Sequence, residues 1–166
     1  IFQSKNKKYK IGVINLMGNV FMRKTEDVFK TVQEICKKIV LKKNVDFLVV
    51  DFHGEITSEK MAMGYYLDGL TTCVFGTHTH IPTADTRILE NGTAYQTDIG
   101  MCGDYNSVIG MNKENSIKRF LKQQDAEKHF PSKGEGTLSG IIVEADNKTG
   151  LAKKVSRIIV GGSLKK

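Results

Sequence analysis

Two short apolar runs, each leading into histidine, constrain this chain more than any other feature. Residues 46–51 (DFLVVD) are a hydrophobic stretch bounded by acids, followed at once by Phe52-His53-Gly54-Glu55. Residues 71–75 (TTCVF) are a second, which runs into Gly76-Thr77-His78-Thr79-His80. Runs of this length and composition predict strands buried on both faces of a sheet. Between them the sequence predicts a helix over residues 58–68, with Thr57 or Ser58 as cap, Glu59 in the first turn and Gly69 as the stop.

The flanking sequence extends the pattern. Residues 9–21 predict a strand, with Gly18-Asn19 breaking or bulging it. A helix follows from a Thr25 cap, with Glu26 and Asp27 in its first turn and Val28, Val32, Ile35, Cys36, Ile39 and Val40 at helical spacing. Strand, helix, strand, helix, strand in this order predicts an α/β fold, an open sheet covered by helices. Beyond the His-x-His segment, Asn91-Gly92 predicts a type I′ hairpin joining residues 87–90 to 93–97. Residues 98–104 are glycine-rich and read as irregular. Asn112 is placed to cap a helix over 113–123 with Ile117, Phe120 and Leu121 facing inward, a second hairpin joins 136–145 to 151–160, and the tail 161–166 is expected to fray. There is neither an internal repeat nor a linker, which predicts one compact unit.

Composition narrows the function classes. The chain is 40% hydrophobic and 26% charged, and it holds no apolar run of the ~18–20 residues that span a bilayer and no recognisable signal peptide. A cytoplasmic protein without membrane contact is expected. Three cysteines lack metal-type spacing, and Cys36 and Cys73 lie inside apolar runs as reduced, buried thiols would. The net charge of +7 attracts polyanions, but the lysines are dispersed, without an arginine cluster or interleaved aromatics. RNA contact is therefore a secondary expectation. The chain opens on Ile1 and runs directly into a strand, reading as the continuation of something longer.

Three of the four histidines follow the two apolar runs. Ligands in open α/β sheets gather at the carboxyl ends of strands, so His53, His78 and His80 converge if those strands are neighbours. On an extended segment His78 and His80 point to one side. Neutral imidazole is the commonest metal ligand and suits zinc, iron, manganese or copper. Three histidines could hold a single zinc, whereas phosphodiester hydrolysis commonly uses two ions bridged by a carboxylate. The nearby carboxylates are Asp51, Glu55, Asp85 and Asp98, none at an obvious bridging spacing. A His-x-His-x-Asp-His hydrolase pattern is excluded because Pro82 and Thr83 occupy its last two positions, and an amidohydrolase barrel needs a longer chain. His129 reads as a surface residue, and Cys102 has no nearby base that would make it a nucleophile.

Five ordered segments, INLMGNVFM (14–22), VDFHGEITSEK (50–60), GTHTHIPTAD (76–85), GTAYQTDIGM (92–101) and SVIGM (107–111), resemble those of the YmdB-like family of bacterial calcineurin-like metallophosphoesterases. The resemblance implies a sandwich of two mixed sheets flanked by helices. It also implies a metal-dependent phosphodiesterase acting on a cyclic nucleotide or related small phosphodiester through a dinuclear metal site. His53 and His78 would bind one ion and His80 the other, with iron or manganese favoured over zinc or magnesium. The family's other ligands and its general acid lie in an N-terminal half that would precede Ile1. Residues 1–166 are thus expected to be the C-terminal part of one domain, inactive alone, with no catalytic residue of their own. A homo-oligomer is expected. Within the matched segments Gly54 stands for Ala, Asp104 for Pro and Asn106 for Asp, and none of the three is a carried-over ligand. The rival reading is a catalytically silent nucleic-acid-binding or regulatory module on the same fold.

Overall fold

The computed structural model describes residues 1–164; Lys165 and Lys166, the end of the tail expected to fray, lie outside the described residues. Six strands form one mixed sheet: β1 (Phe2–Gln3), β2 (Lys10–Met17), β3 (Phe47–His53), β4 (Cys73–Thr77), β5 (Arg87–Ile88) and β6 (Ala94–Gln96), in the order β1-β2-β3-β4-β6-β5. β2, β3, β4 and β6 are mutually parallel, and β1 and β5 are antiparallel edges. Two helices, α1 (Val28–Lys38) and α2 (Thr57–Tyr66), make the crossovers from β2 to β3 and from β3 to β4. A third helix, α3 (Lys113–Phe120), and the hairpin β7 (Leu138–Ala145) with β8 (Ala152–Val160) complete the chain. The α/β expectation holds. The second mixed sheet does not appear among the described residues; its place is taken by the two-stranded antiparallel hairpin.

The core lies between one face of the sheet and the helices. Leu48, Val50 and Phe52 of β3 are fully buried against Val32 of α1 and Met63 of α2, with Val74 and Tyr95 beside them. Their partners on the other face, Phe47, Val49, Asp51 and His53, are only half-buried, so β3 alternates where burial on both faces was expected. On that side Phe47, Val49 and Phe75 face Ile141 and Val143 of β7 across a cavity of about 350 Å³. Alternation is what frees Asp51 and His53 to face a site.

Local chemistry explains the shifted boundaries. Thr25 does not cap α1, because its amide and hydroxyl both donate to Asn19 Oδ1. Asp27 caps instead, accepting from the Phe29 and Lys30 amides. The hairpin turn is not type I′. Asn91 keeps a negative φ and only Gly92 is left-handed at 99°, while Gly92 N–H reaches Leu89 C=O at 3.0 Å and Leu89 N–H reaches Thr93 C=O at 2.9 Å. That is a three-residue loop ended by glycine. Asn112 does cap α3, accepting from Asn115 N–H. The inward face expected of that helix is wrong, however: Ile117, Phe120 and Leu121 are exposed, and Asn115 and Ser116 are the buried residues. Asn115 holds the helix through its side-chain bonds to Glu127 and Lys128.

Candidate metal centre

The strand register delivers the first two histidines. β3 and β4 run parallel with His53 opposite Thr77, so His53 ends its strand and His78 follows β4 directly. His53 Nε2 and His78 Nδ1 lie 3.0 Å apart, with the rings edge to face at 85°. Two nitrogens bound to one metal ion at ~2.0–2.1 Å would be separated by about 3.3–3.4 Å at the tetrahedral angle and about 2.8–3.0 Å at a right angle. The observed spacing suits the right-angle arrangement of adjacent octahedral positions.

Outer hydrogen bonds decide which nitrogen of each ring carries its proton. Thr77 Oγ1 donates its one proton to Asp51 Oδ1 (2.9 Å), so toward His53 Nδ1, at 3.0 Å, it can only accept. Asn15, opposite Asp51 in the register, donates to Asp51 Oδ2 at 2.8 Å and steadies the relay. His78 Nε2 is 2.6 Å from Glu55 Oε2, an acceptor that draws the proton to that side. Assigned from these partners, the lone pairs of the two neutral rings face each other. Facing lone pairs repel, and a cation between them converts the repulsion into two bonds. Outer partners of this kind are how proteins orient metal-ligating imidazoles. His53 also has its pKa held down, by burial first and by neighbouring His78 second, against the opposing pull of Asp51. That favours the neutral imidazole, the form that binds metal. The donor set and its spacing fit a transition-metal ion.

His80 is not brought to the same point. The segment is not extended: His78 and His80 have φ of 115° and 68°, so the i, i+2 alignment expected of them fails. His80 Nδ1 instead donates to Ile109 C=O at 2.8 Å, which leaves Nε2 as its free nitrogen. Among the described residues no three His, Cys, Asp or Glu side chains enclose a metal position. The carboxylates noted in the sequence are all engaged. Asp51 and Glu55 serve the rings, Asp85 accepts from Thr83 and Thr97, and Asp98 is wholly buried against Lys60. His129 and Cys102 are exposed. Sequence reading missed Thr77 and the supporting role of Asp51. The available signal was that Asp51 and His53 share one strand face.

Residues 1–158 match the model of a family described as YmdB-like protein. The chain is 43% identical over 150 residues to a 2',3'-cyclic-nucleotide 2'-phosphodiesterase of Bacillus subtilis, a match covering 90% of this chain and 56% of that protein. It superposes on the crystal structure of a novel phosphatase of Mycoplasma pneumoniae with a TM-score of 0.82 and 41% identity, covering 93% of this chain and 54% of that one. It also superposes on a hypothetical protein of Thermus thermophilus with a TM-score of 0.81 and 33% identity, covering 92% and 58%. The chain thus spans a little over half the length of these three proteins.

Proposed function

This chain belongs to the YmdB-like protein family, and on that premise we propose that it supplies the histidine side of a metal-dependent phosphodiesterase centre. The observation that carries the reading is the His53–His78 pair: two ring nitrogens 3.0 Å apart, each ring anchored from outside, at the ends of adjacent parallel strands. His53 and His78 would hold one ion, and His80, oriented by Ile109, would offer its free Nε2 to another. The family resemblance favours iron or manganese here, with zinc or magnesium as alternatives, and imidazole donors by themselves suit iron and zinc. Bound metal ions supply water activation and neutralise charge developing on phosphoryl oxygens. The chain's own residues fix where that happens. Thr77 and Asp51 hold the His53 ring, and Glu55 holds His78.

The proposed substrate is a small phosphodiester, with 2′,3′-cyclic nucleotides the first to test on the strength of the Bacillus relative. The test is elemental analysis of the intact protein purified without chelators, alongside hydrolysis assays. About two transition-metal ions per subunit are expected, with hydrolysis lost in His78→Ala and His80→Ala. Metal-free protein whose hydrolysis survives both substitutions would overturn the proposal. The described residues include no helix long and apolar enough to cross a membrane.

A further inference from the structure

Lys60 of α2 and Asp98 are buried to 1% and 0% exposure, with Nζ and Oδ2 2.8 Å apart. A buried ion pair is weak evidence of stabilisation, because desolvation offsets most of the attraction. What distinguishes this pair is where the rest of the carboxylate goes. The same Oδ2 accepts Thr79 N–H at 2.9 Å, and Oδ1 accepts Gly100 N–H at 2.9 Å. Thr79 is the residue between His78 and His80, both held at positive φ. Non-glycine residues held in that region are strained, so they persist only where the surroundings over-determine them. Gly100 opens the segment whose Met101 N–H donates to His80 C=O at 3.1 Å.

We propose that Lys60 and Asp98 are positioning residues for the metal centre, a buried pair whose carboxylate clamps the strained His78-Thr79-His80 segment in its ligand-presenting shape. Lys60 supplies the counter-charge that lets a carboxylate remain an acceptor inside the protein. Its stem passes Gly76, where an added Cβ would lie 2.9 Å from Lys60 Cδ. Asp98 reaches the two histidines through the backbone on both sides, Thr79 directly and His80 by way of Gly100 and Met101. The inference rests on the reading that these histidines bind metal.

The test compares two double variants of the intact protein. Lys60→Met with Asp98→Asn removes the charges and keeps an acceptor for Thr79; Lys60→Met with Asp98→Ala removes both. Mn²⁺ affinity by calorimetry and the visible spectrum of bound Co²⁺ report the centre, and melting in chelator reports the fold. The Asn variant, which keeps an acceptor for Thr79 but turns its NH2 toward the Gly100 amide, should bind Mn²⁺ more weakly than wild type and more tightly than the Ala variant. The Ala variant should lose about 10–100-fold in affinity and change its Co²⁺ spectrum, both read well below its chelator melting point, which falls because the Thr79 and Gly100 amides are left without their acceptor. In the wild type the Thr79 amide should exchange hydrogen only on global opening, a reading independent of whether the Ala variant folds. Wild-type Mn²⁺ affinity in the Ala variant, or fast Thr79 exchange, overturns the inference alone. A wild type that binds no metal overturns the metal reading and the inference with it.

Discussion

His53 and His78 meet edge to face, Nε2 to Nδ1 at 3.0 Å, although they lie 25 positions apart in the chain. The meeting is a product of register. β3 and β4 are parallel neighbours with His53 level with Thr77, so the residue after Thr77 arrives beside His53. A one-residue slip would send His53 to the helix-covered face. The core residues Leu48, Val50 and Phe52, buried on that face, are therefore what fixes the site.

Thr77→Val tests the relay behind His53. Valine keeps the shape of threonine but removes the oxygen that links His53 Nδ1 to Asp51. His53 then loses the partner that settles its tautomer. Metal affinity should fall by about 10–100-fold while the urea midpoint barely changes. Calorimetric Mn²⁺ titration of the two proteins checks this, and unchanged affinity would remove Thr77 from the site.

Gly76→Ala tests the approach of β4 to the chain beyond β6. A methyl group here would collide with the Thr97 carbonyl oxygen and press on Lys60 Cδ. The first obstacle is backbone, which cannot swing aside. A loss of about 3 kcal/mol is expected, read as a lower urea midpoint at unchanged slope. A midpoint equal to wild type would mean the strands can part without cost.

The strand and helix order was legible because burial writes hydrophobic period into sequence, and β2, β3, β4, α1 and α2 all appear near their expected places. The histidine loop was legible as a place and not as a shape. Its positive φ at His78 and His80 comes from hydrogen bonds to Asp98, Met101 and Ile109, residues about 20 to 30 positions away. Lys60 stayed invisible for a related reason: a lysine on a helix reads as solvated, and only the arrival of Asp98 makes its burial tolerable. The second mixed sheet was expected from resemblance, and nothing in the residues 1–164 forms it.

The misread face of α3 makes its own prediction. Phe120 is 81% exposed, while Asn115 is 6% exposed and carries three hydrogen bonds to the segment at Glu127 and Lys128. Phe120→Ser should therefore shift stability by no more than about 0.5 kcal/mol. Asn115→Ala should cost about 1–3 kcal/mol by removing the three side-chain hydrogen bonds that tie α3 to Glu127 and Lys128. Urea unfolding of the two variants should rank them in that order. The reverse ranking would mean α3 is held by its apolar residues after all.

Burial of Cys73 sets a limit on stability in base. Desolvation on β4 pushes its thiol up from 9.0 to about 12. In the folded chain the thiol keeps its proton to about pH 12, whereas the unfolded chain releases it near 9. Above pH 9 the unfolded state binds fewer protons, so this residue's contribution is complete below 9 and is lost as pH rises toward 12. The limiting slope is about 1.4 kcal/mol per pH unit. Tyr95, raised from 10.0 to about 12 by burial, adds to the fall at the upper end of the same window. Urea midpoints of wild type and Cys73→Ala between pH 8 and 11 isolate the thiol. The alanine protein starts less stable, having lost a buried group, and its deficit should narrow as pH climbs. A deficit that stays constant across the window would show that the Cys73 thiol ionises as readily in the folded chain as in the unfolded one.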